Sequence, residues 1–259
     1  MRFKSLGSGS TGNALIIEKK AQDGKMTRVL IDCGFTQKEL VLRLSQAGLV
    51  PGDISAIFVT HEHADHLGCA PSFSKRWGIP LWMSEGTFLG IRSGYDVLNT
   101  HFASDGDVFE IGCLRLTPFT VPHDAREPLQ VKVDDGRRQL GIVTDLGVVT
   151  DYVLQNIYRC HALVLESNHD PEMLAKSSYP ANVKRRVAGN HGHLSNQVAI
   201  ELLREVRHDQ LQHVVPAHLS QQNNLHEIVA QKFSAELGCA PEQVCIADAR
   251  KGTDWLTIC

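Results

Sequence analysis

Residues 61–66 read His-Glu-His-Ala-Asp-His, and no other stretch restricts the chain so tightly. Four of these six side chains can bind a metal ion. The preceding Ala56-Ile57-Phe58-Val59-Thr60 is mostly β-branched or aromatic, which predicts a buried strand. The cluster therefore falls where a strand runs out. His61 and His63 can turn their rings into one pocket only on extended or looped backbone, and Asp65 and His66 then point elsewhere. A cluster divided in this way suits two adjacent ions better than one. Imidazole with carboxylate suits zinc or a similar divalent metal. The alternative, a solvated polar loop, leaves three histidines in six residues without a reason.

The 259 residues are enough for a sizeable core, and no linker, low-complexity tract or charge block divides them. One domain over 1–259 is the expectation. The net charge of −3 offers no general attraction to nucleic acid, so such a partner needs a local basic patch. Thirteen histidines are the compositional outlier and again point to metal. Seven cysteines, odd in number and without C-x-x-C spacing, read as free thiols of a reducing compartment. No signal core or membrane-length apolar run is present, so a cytoplasmic protein with no membrane partner is expected.

Gly7-Ser8-Gly9-Ser10-Thr11-Gly12 matches a dinucleotide-binding fingerprint, with Asp32 twenty residues beyond. That motif needs a helix next. Here Ala14 to Glu18, the turn at Ala21 to Gly24 and Arg28 to Asp32 read as strand, hairpin and strand. The expected roles are a glycine turn with N–H groups near the site, and a buried Asp32 holding loops in place. Helices are predicted at Thr36–Ala47, His66–Trp77, Ser84–Ile91, Val149–Ile157, Ser195–Val206 and Leu225–Leu237. Strands are predicted at 79–83, 108–111, 114–121, 129–133, 139–144, 162–166, 214–215, 244–246 and 255–258. Two sheets face to face with helices on both outer faces, an α/β protein of αββα sandwich type, fit this order.

Three further strand ends carry His or Asp: His123 after 114–121, Asp145 after 139–144, and His218 after Val214-Val215-Pro216-Ala217. Strands of one sheet bring their ends to a shared edge, where loops form a site. Together these positions supply His61, His63 and His123 for one ion and Asp65, His66 and His218 for another. Asp145 can bridge them, and coordination positions stay open for water, as catalysis requires.

These ligand positions, the Gly-Ser-Gly-Ser-Thr-Gly-Asn turn and the Leu-Ile-Asp-Cys-Gly strand resemble the metallo-β-lactamase superfamily along essentially the whole chain. Glu166-Ser167-Asn168-His169-Asp170, Tyr179-Pro180, Gly192-His193-Leu194-Ser195-Asn196 and Ala217-His218-Leu219-Ser220 with Asn223-Asn224 are similar to the YycJ/VicX (WalJ) branch of small exonucleases of that fold. The resemblance implies a metallo-β-lactamase fold and a two-metal phosphodiesterase using Zn2+ or Mn2+. Within that branch it implies a 5′-to-3′ exonuclease on the ends of double-stranded DNA. His193, supported by Glu166, is then placed over the scissile phosphate. Two cations offset the repulsion between a phosphodiester and a bridging hydroxide, which Asp65 and Asp145 hold and orient. His193 supplies the leaving group's proton or stabilises developing charge. Asn168 and His169 join His193 as substrate contacts. Lys184, Arg185 and Arg186 form a basic cluster that suits a nucleic-acid backbone or, equally, a solvated helix face.

Other readings use similar residues. An RNA-processing or small-molecule phosphodiesterase shares the ligands, but no long inserted arm fits among the 21 residues between His123 and Asp145 or the 20 between Asp145 and Glu166. A glyoxalase-II-like thioester hydrolase lacks a use for Gly-His-Leu-Ser, a β-lactamase is normally exported, and a non-catalytic metal-binding regulator has no need of open coordination.

Overall fold

The computed structural model describes residues 1–91 and 99–259. In chain order the strands are β1 (Arg2–Gly7), β2 (Ala14–Lys20), β3 (Met26–Ile31), β4 (Ala56–Phe58), β5 (Leu81–Met83), β6 (Thr100–Phe102), β7 (Phe109–Ile111), β8 (Leu114–Thr120), β9 (Leu129–Asp134), β10 (Gln139–Val143), β11 (Ala162–Glu166), β12 (His213–Ala217) and β13 (Leu256–Thr257). The helices are α1 (Gln37–Gln46), α2 (Ala64–Leu67), α3 (Ala70–Trp77), α4 (Glu85–Gly90), α5 (Asp151–Ile157), α6 (Pro171–Lys176), α7 (Ala181–Val187), α8 (Asn196–Val206) and α9 (His226–Leu237).

One sheet has the order β13-β1-β2-β3-β4-β5-β6 and the other β12-β11-β10-β9-β8-β7. Each is antiparallel on one side and parallel on the other. β3 to β6 run parallel, as do β10 to β12. β8 and β10 both pair antiparallel with β9, so they too run alike. The ends of β3 and β4 thus share an edge of the first sheet, and those of β8, β10, β11 and β12 an edge of the second.

Alternation along the strands builds the layers, because successive side chains point to opposite faces. Leu15, Ile17, Val29, Ile31 and Phe58 of the first sheet pack against Leu116, Val131, Ile142 and Val164 of the second. The intervening Ile16, Leu30 and Ile57 face the other way, onto Leu40 and Leu44 of α1 and Phe73 of α3. Val143, Leu163 and Leu165 likewise meet α5, α8 and α9 through Val153, Leu203 and Phe233. Three apolar layers between four structural layers make the αββα sandwich. Each fully buried side chain of the size of Leu or Phe contributes about 1.5–3 kcal/mol to holding them together.

The differences from the sequence reading have local causes. The expected helix over 66–77 is two helices, because the chain turns at Gly68 with φ +37°. A Cβ there would meet the Cys33 carbonyl oxygen at 2.2 Å, so only glycine fits. Val244 to Ile246 form no strand; Val244 and Ile246 pack in the cluster that includes Val214 of β12, and just beyond them the Ala247 N–H bonds to the Pro216 carbonyl. β6 and α6 were not expected, and α7 only as a helix face for Lys184, Arg185 and Arg186 without bounds; each is too short to show a period. The glycine-rich stretch joins antiparallel β1 and β2, so no dinucleotide-binding crossover exists. All seven cysteines are free. Among the described residues no helix is long and apolar enough to cross a membrane.

Asp135, in the hairpin between β9 and β10, ties the two sheets together through Lys19 of β2 at 2.6 Å. Burial raises its pKa, but Lys19 and the N–H groups of Arg138 and Arg137 outweigh that and hold it at about 2. A depressed carboxyl stabilises the fold fully above its unfolded pKa of about 3.9 and loses that contribution as pH falls toward its folded value. Urea melts between pH 5 and pH 2 should therefore show Asp135→Asn losing of order 1 kcal/mol of the acid-dependent stability after screening. The variant should differ least from the parent at the acid end.

Candidate metal centre

The residues noted at strand ends were expected on one shared sheet edge; they come together instead from an edge of each sheet, because the site lies where the two sheets meet. β4 leads through Thr60 to His61, β8 to His123, β10 to Asp145, β11 ends in Glu166, and β12 leads to His218. The backbone turns sharply to aim them. Asp32, Asp145 and His218, each just beyond a strand, are three of the four described non-glycine residues with positive φ, at 62°, 54° and 55°. Left-handed backbone at such residues costs of order 1–3 kcal/mol each and persists where its surroundings enforce it, commonly at functional sites.

Two groups of ligand atoms result. His61 Nε2 lies 3.1 Å from His63 Nδ1, which lies 3.2 Å from His123 Nε2. Nitrogens bound at 2.0–2.1 Å to one tetrahedral zinc sit about 3.3 Å apart, so this spacing is that of a shared cation. The second group is Asp65, His66 and His218. Asp65 Oδ2 stands 3.3 Å from His218 Nε2 and 3.6 Å from His66 Nε2. Asp145 lies between the groups, with Oδ2 3.2 Å from His66 Nε2 and Oδ1 3.4 Å from His218 Nε2 and 4.0 Å from His123 Nε2. Its Oδ2 is buried and accepts no hydrogen bond of acceptable geometry. A buried carboxylate oxygen without a donor is costly unless a cation faces it. The residues therefore fit metal binding: the cluster could hold a metal ion in either group, with Asp145 reaching both.

The electrostatics divide along the same line. Burial, reinforced by the neighbouring imidazoles, holds His61 well below its ordinary pKa and lowers His123, which keeps both neutral as ligands must be. At His66 and His218 burial is overcome by carboxylates. Asp145 and Asp32 raise the first well above its usual value, and Asp145, Asp65 and Glu166 raise the second to about 10. Asp145 is itself pulled well below the carboxylate range, against its burial, by His218 and His66. The carboxylate-rich half thus draws positive charge, which suits a divalent cation.

Asp32 performs the expected anchoring. Its Oδ2 accepts from His66 Nδ1 at 2.7 Å, leaving Nε2 for the cluster, and its Oδ1 takes the Thr60 N–H at 2.8 Å. Glu166, fully buried, holds His193 Nδ1 at 2.8 Å on Oε1 and the Leu194 N–H at 2.9 Å on Oε2. Burial alone would raise Glu166, yet His193 and His218 bring it to about 2.

The centre opens into a cleft of about 360 Å³. Asn168, His193 and Arg186 line it, whereas His169, Lys184 and Arg185 do not. His169 is 3% exposed. Lys184 is occupied with the Ala175 carbonyl, and Arg186 pairs with Asp124. The basic run is thus a helix, α7, of which one member reaches the site. In the glycine turn, the N–H groups of Ser8, Gly9 and Gly12 bond to Asp248, Asn13 and Gly9 inside the protein. They do not form a cradle. Sequence reasoning missed Asn13, whose Nδ2 sits 3.1 Å from His66 Nε2 and whose N–H holds the Asp65 carbonyl. Its place after the glycine turn was the available signal. It also missed Thr60 and Asp124, whose carboxylate lies 3.5 Å from His123 Nε2. Only tertiary contact identifies those two.

The family model described as the beta-lactamase superfamily domain matches residues 27–219. Exodeoxyribonuclease YycJ of Bacillus anthracis is 35% identical over 240 residues, 92% of this chain and 89% of that protein. Exodeoxyribonuclease WalJ of Streptococcus pneumoniae is 28% identical over 247 residues, 92% of this chain and 90% of that protein. The metallo-β-lactamase-fold protein YhfI of Bacillus subtilis superposes with a TM-score of 0.72 at 14% identity, covering 99% of both chains.

Replacing Asp32 by alanine removes the partner that fixes the His66 ring. Such outer partners are worth about 10- to 100-fold in metal affinity. Competition with a chromogenic chelator should show a loss of that size for Asp32→Ala with the fold retained by circular dichroism. Unchanged affinity would show that Asp32 serves only the Thr60 turn.

Proposed function

As the chain belongs to the β-lactamase superfamily and is a metal-dependent hydrolase of its nuclease or phosphodiesterase kind, we propose that it is a two-metal exonuclease that degrades double-stranded DNA from the 5′ end. The two relatives named exodeoxyribonuclease support the DNA substrate, and with it a place in the cytoplasm. The observation that carries the phosphodiester reading is the Glu166–His193 pair beside Asp145. His193 Nδ1 stands 2.8 Å from Glu166 and 3.6 Å from Asp145 Oδ1.

His61, His63 and His123 would hold one ion, and Asp65, His66 and His218 the other, with Asp145 shared. Bound there, Zn2+ or Mn2+ would supply charge to offset the phosphodiester anion and lower the pKa of water. The protein's own groups do the rest. Asp65 and Asp145 carry the negative charge that keeps the pair of sites together and orient a water for in-line attack. Glu166 accepts from His193 Nδ1, which fixes the ring and leaves Nε2 to serve the cleft. There Nε2 donates to a phosphoryl oxygen or passes a proton to the departing sugar oxygen. Arg186 is the cation of α7 positioned to meet a second phosphate, at the expense of its pairing with Asp124. A thioester hydrolase needs neither a buried glutamate behind a histidine nor an arginine in the cleft.

Metal-loaded protein should release mononucleotides from end-labelled duplex DNA at the 5′ end alone, and spare a thioester and a chromogenic cephalosporin. Thioester cleavage without DNA cleavage overturns the reading. His61→Ala and Asp145→Ala should lose both bound metal, by elemental analysis, and nuclease activity. His193→Ala should keep its metal and slow turnover about 10²- to 10⁴-fold; a fully active His193→Ala protein removes that residue from the mechanism.

A further inference from the structure

Among the described residues five buried side-chain atoms have no hydrogen-bond partner, and two of them belong to residues lining the same cleft. A cation answers the first, Asp145 Oδ2. The second is the amide oxygen of Asn223, a residue only 1% exposed. An amide oxygen asks for a hydrogen-bond donor, and leaving it without one is costly. The residue is held in place on its other sides. Its N–H and Nδ2 both donate to Ser220 Oγ, at 3.2 and 3.3 Å, and its carbonyl takes the Asp170 N–H at 2.8 Å. Ser220 also lines the cleft, and its own hydroxyl proton has no acceptor among the described residues.

Other lining residues are of another kind. Tyr179, Val183, Arg186 and Val187 line the cleft from α7 and the residue pair before it. Val183, Arg186 and Val187, three and four residues apart, share one face of α7, and Tyr179 precedes the helix. α7 buries none of its residues, so this face has no partner in the core. The Tyr179 ring is half-buried, and no other described ring packs on it. Aromatic and aliphatic lining residues in one cleft with the polar Asn168, Ser220 and Asn223 are more than a phosphate needs. They suit a flat heterocycle joined to a group that donates hydrogen bonds, and about 360 Å³ is within the range of small-ligand sites.

We infer that the cleft is a nucleoside subsite. The base of the nucleotide attached to the scissile phosphate stacks on Tyr179 against the α7 face, and its sugar or base edge donates to Asn223 Oδ1 while Ser220 Oγ–H donates back. This rests on the phosphodiesterase reading and assigns to Tyr179, Asn223 and Ser220 the recognition of its substrate's nucleoside part. Stacking is tolerant of base identity because every base has a π-face. Release of nucleotides from DNA of any sequence follows.

Calorimetric titration of the metal-loaded full chain tests it with thymidine 5′-monophosphate, 2-deoxyribose 5-phosphate and inorganic phosphate. The first two differ only by the base. The nucleotide should bind about 5- to 100-fold tighter than the sugar phosphate, the range given by one stacked base. Tyr179→Leu should collapse that ratio toward one, and Tyr179→Phe should restore it. Asn223→Ala should reduce the preference of the nucleotide over inorganic phosphate. Equal affinity for the nucleotide and the sugar phosphate in the parent protein, or an unchanged ratio in Tyr179→Leu, overturns the subsite. Digestion of DNA by the same preparations keeps the two readings apart. Base-dependent binding without diester cleavage defeats the proposed activity alone, and diester cleavage without base-dependent binding defeats the subsite alone.

Discussion

A buried carboxylate oxygen with no hydrogen bond, Asp145 Oδ2, sets the condition that the surrounding structure meets. A negative charge in that position is tolerable only among cations. The histidines around it arrive from both sheets: His61 and His66 follow β4, while His123 and His218 follow β8 and β12. Neither sheet alone assembles the cluster. The apolar layer between the sheets, with Phe58, Ile31, Val131 and Val164 fully or almost fully buried, is therefore what fixes the ligand distances. Close-packed interiors resist small displacements, so the packing between the sheets sets the 3.1–3.2 Å between ring nitrogens.

Around the cluster lies a ring of groups that orient without reacting. Asp32 holds His66, Glu166 holds His193, and Asn168 donates to the His218 carbonyl at 2.8 Å. Asn13 clasps the Asp65 backbone, and Ser8 Oγ accepts the His218 N–H at 2.9 Å. Each fixes a ring or a turn whose backbone is otherwise unfavourable, as the positive φ of Asp32, Asp145 and His218 shows. The cost of that strain is offset by hydrogen bonds made only in the folded state. The cleft beyond them pairs the polar Asn168, Ser220 and Asn223 with the α7 face, which gives the centre a chemical preference in addition to a reactivity.

Much of the fold was legible in the chain because both sheets are buried on two faces and written in alternating Val, Ile, Leu and Phe. Long elements such as α8 and α9 were legible from their periods. Short ones were not. α7 has seven residues and no buried side chain, so it left no apolar stripe to read. The split at Gly68 depends on a carbonyl of Cys33, thirty-five residues earlier, that no local pattern contains. In the site, Asp32 bonds His66 and Glu166 bonds His193, residues that the chain itself singles out. Asn168 reaches the cleft but His169, its neighbour, is buried outside it, because consecutive side chains leaving a strand point apart. Of Lys184, Arg185 and Arg186, the helical period turns only the last inward.

The sequence by itself determined which atoms are available. His-x-His-x-Asp-His, His123, Asp145 and His218 supply imidazole and carboxylate at strand ends, and residue type fixes their affinity for divalent cations wherever they lie. The grouping was an expectation along the chain, and only the tertiary structure decided the distances within each group. Register between strands and the angle between two packed sheets place His123 with His61 and His63, and His218 with Asp65 and His66. Those are long-range relations, set by burial of side chains that never touch the site. The same holds for Tyr179 and Asn223, forty-four residues apart along the chain and brought to one cleft by the packing beneath them.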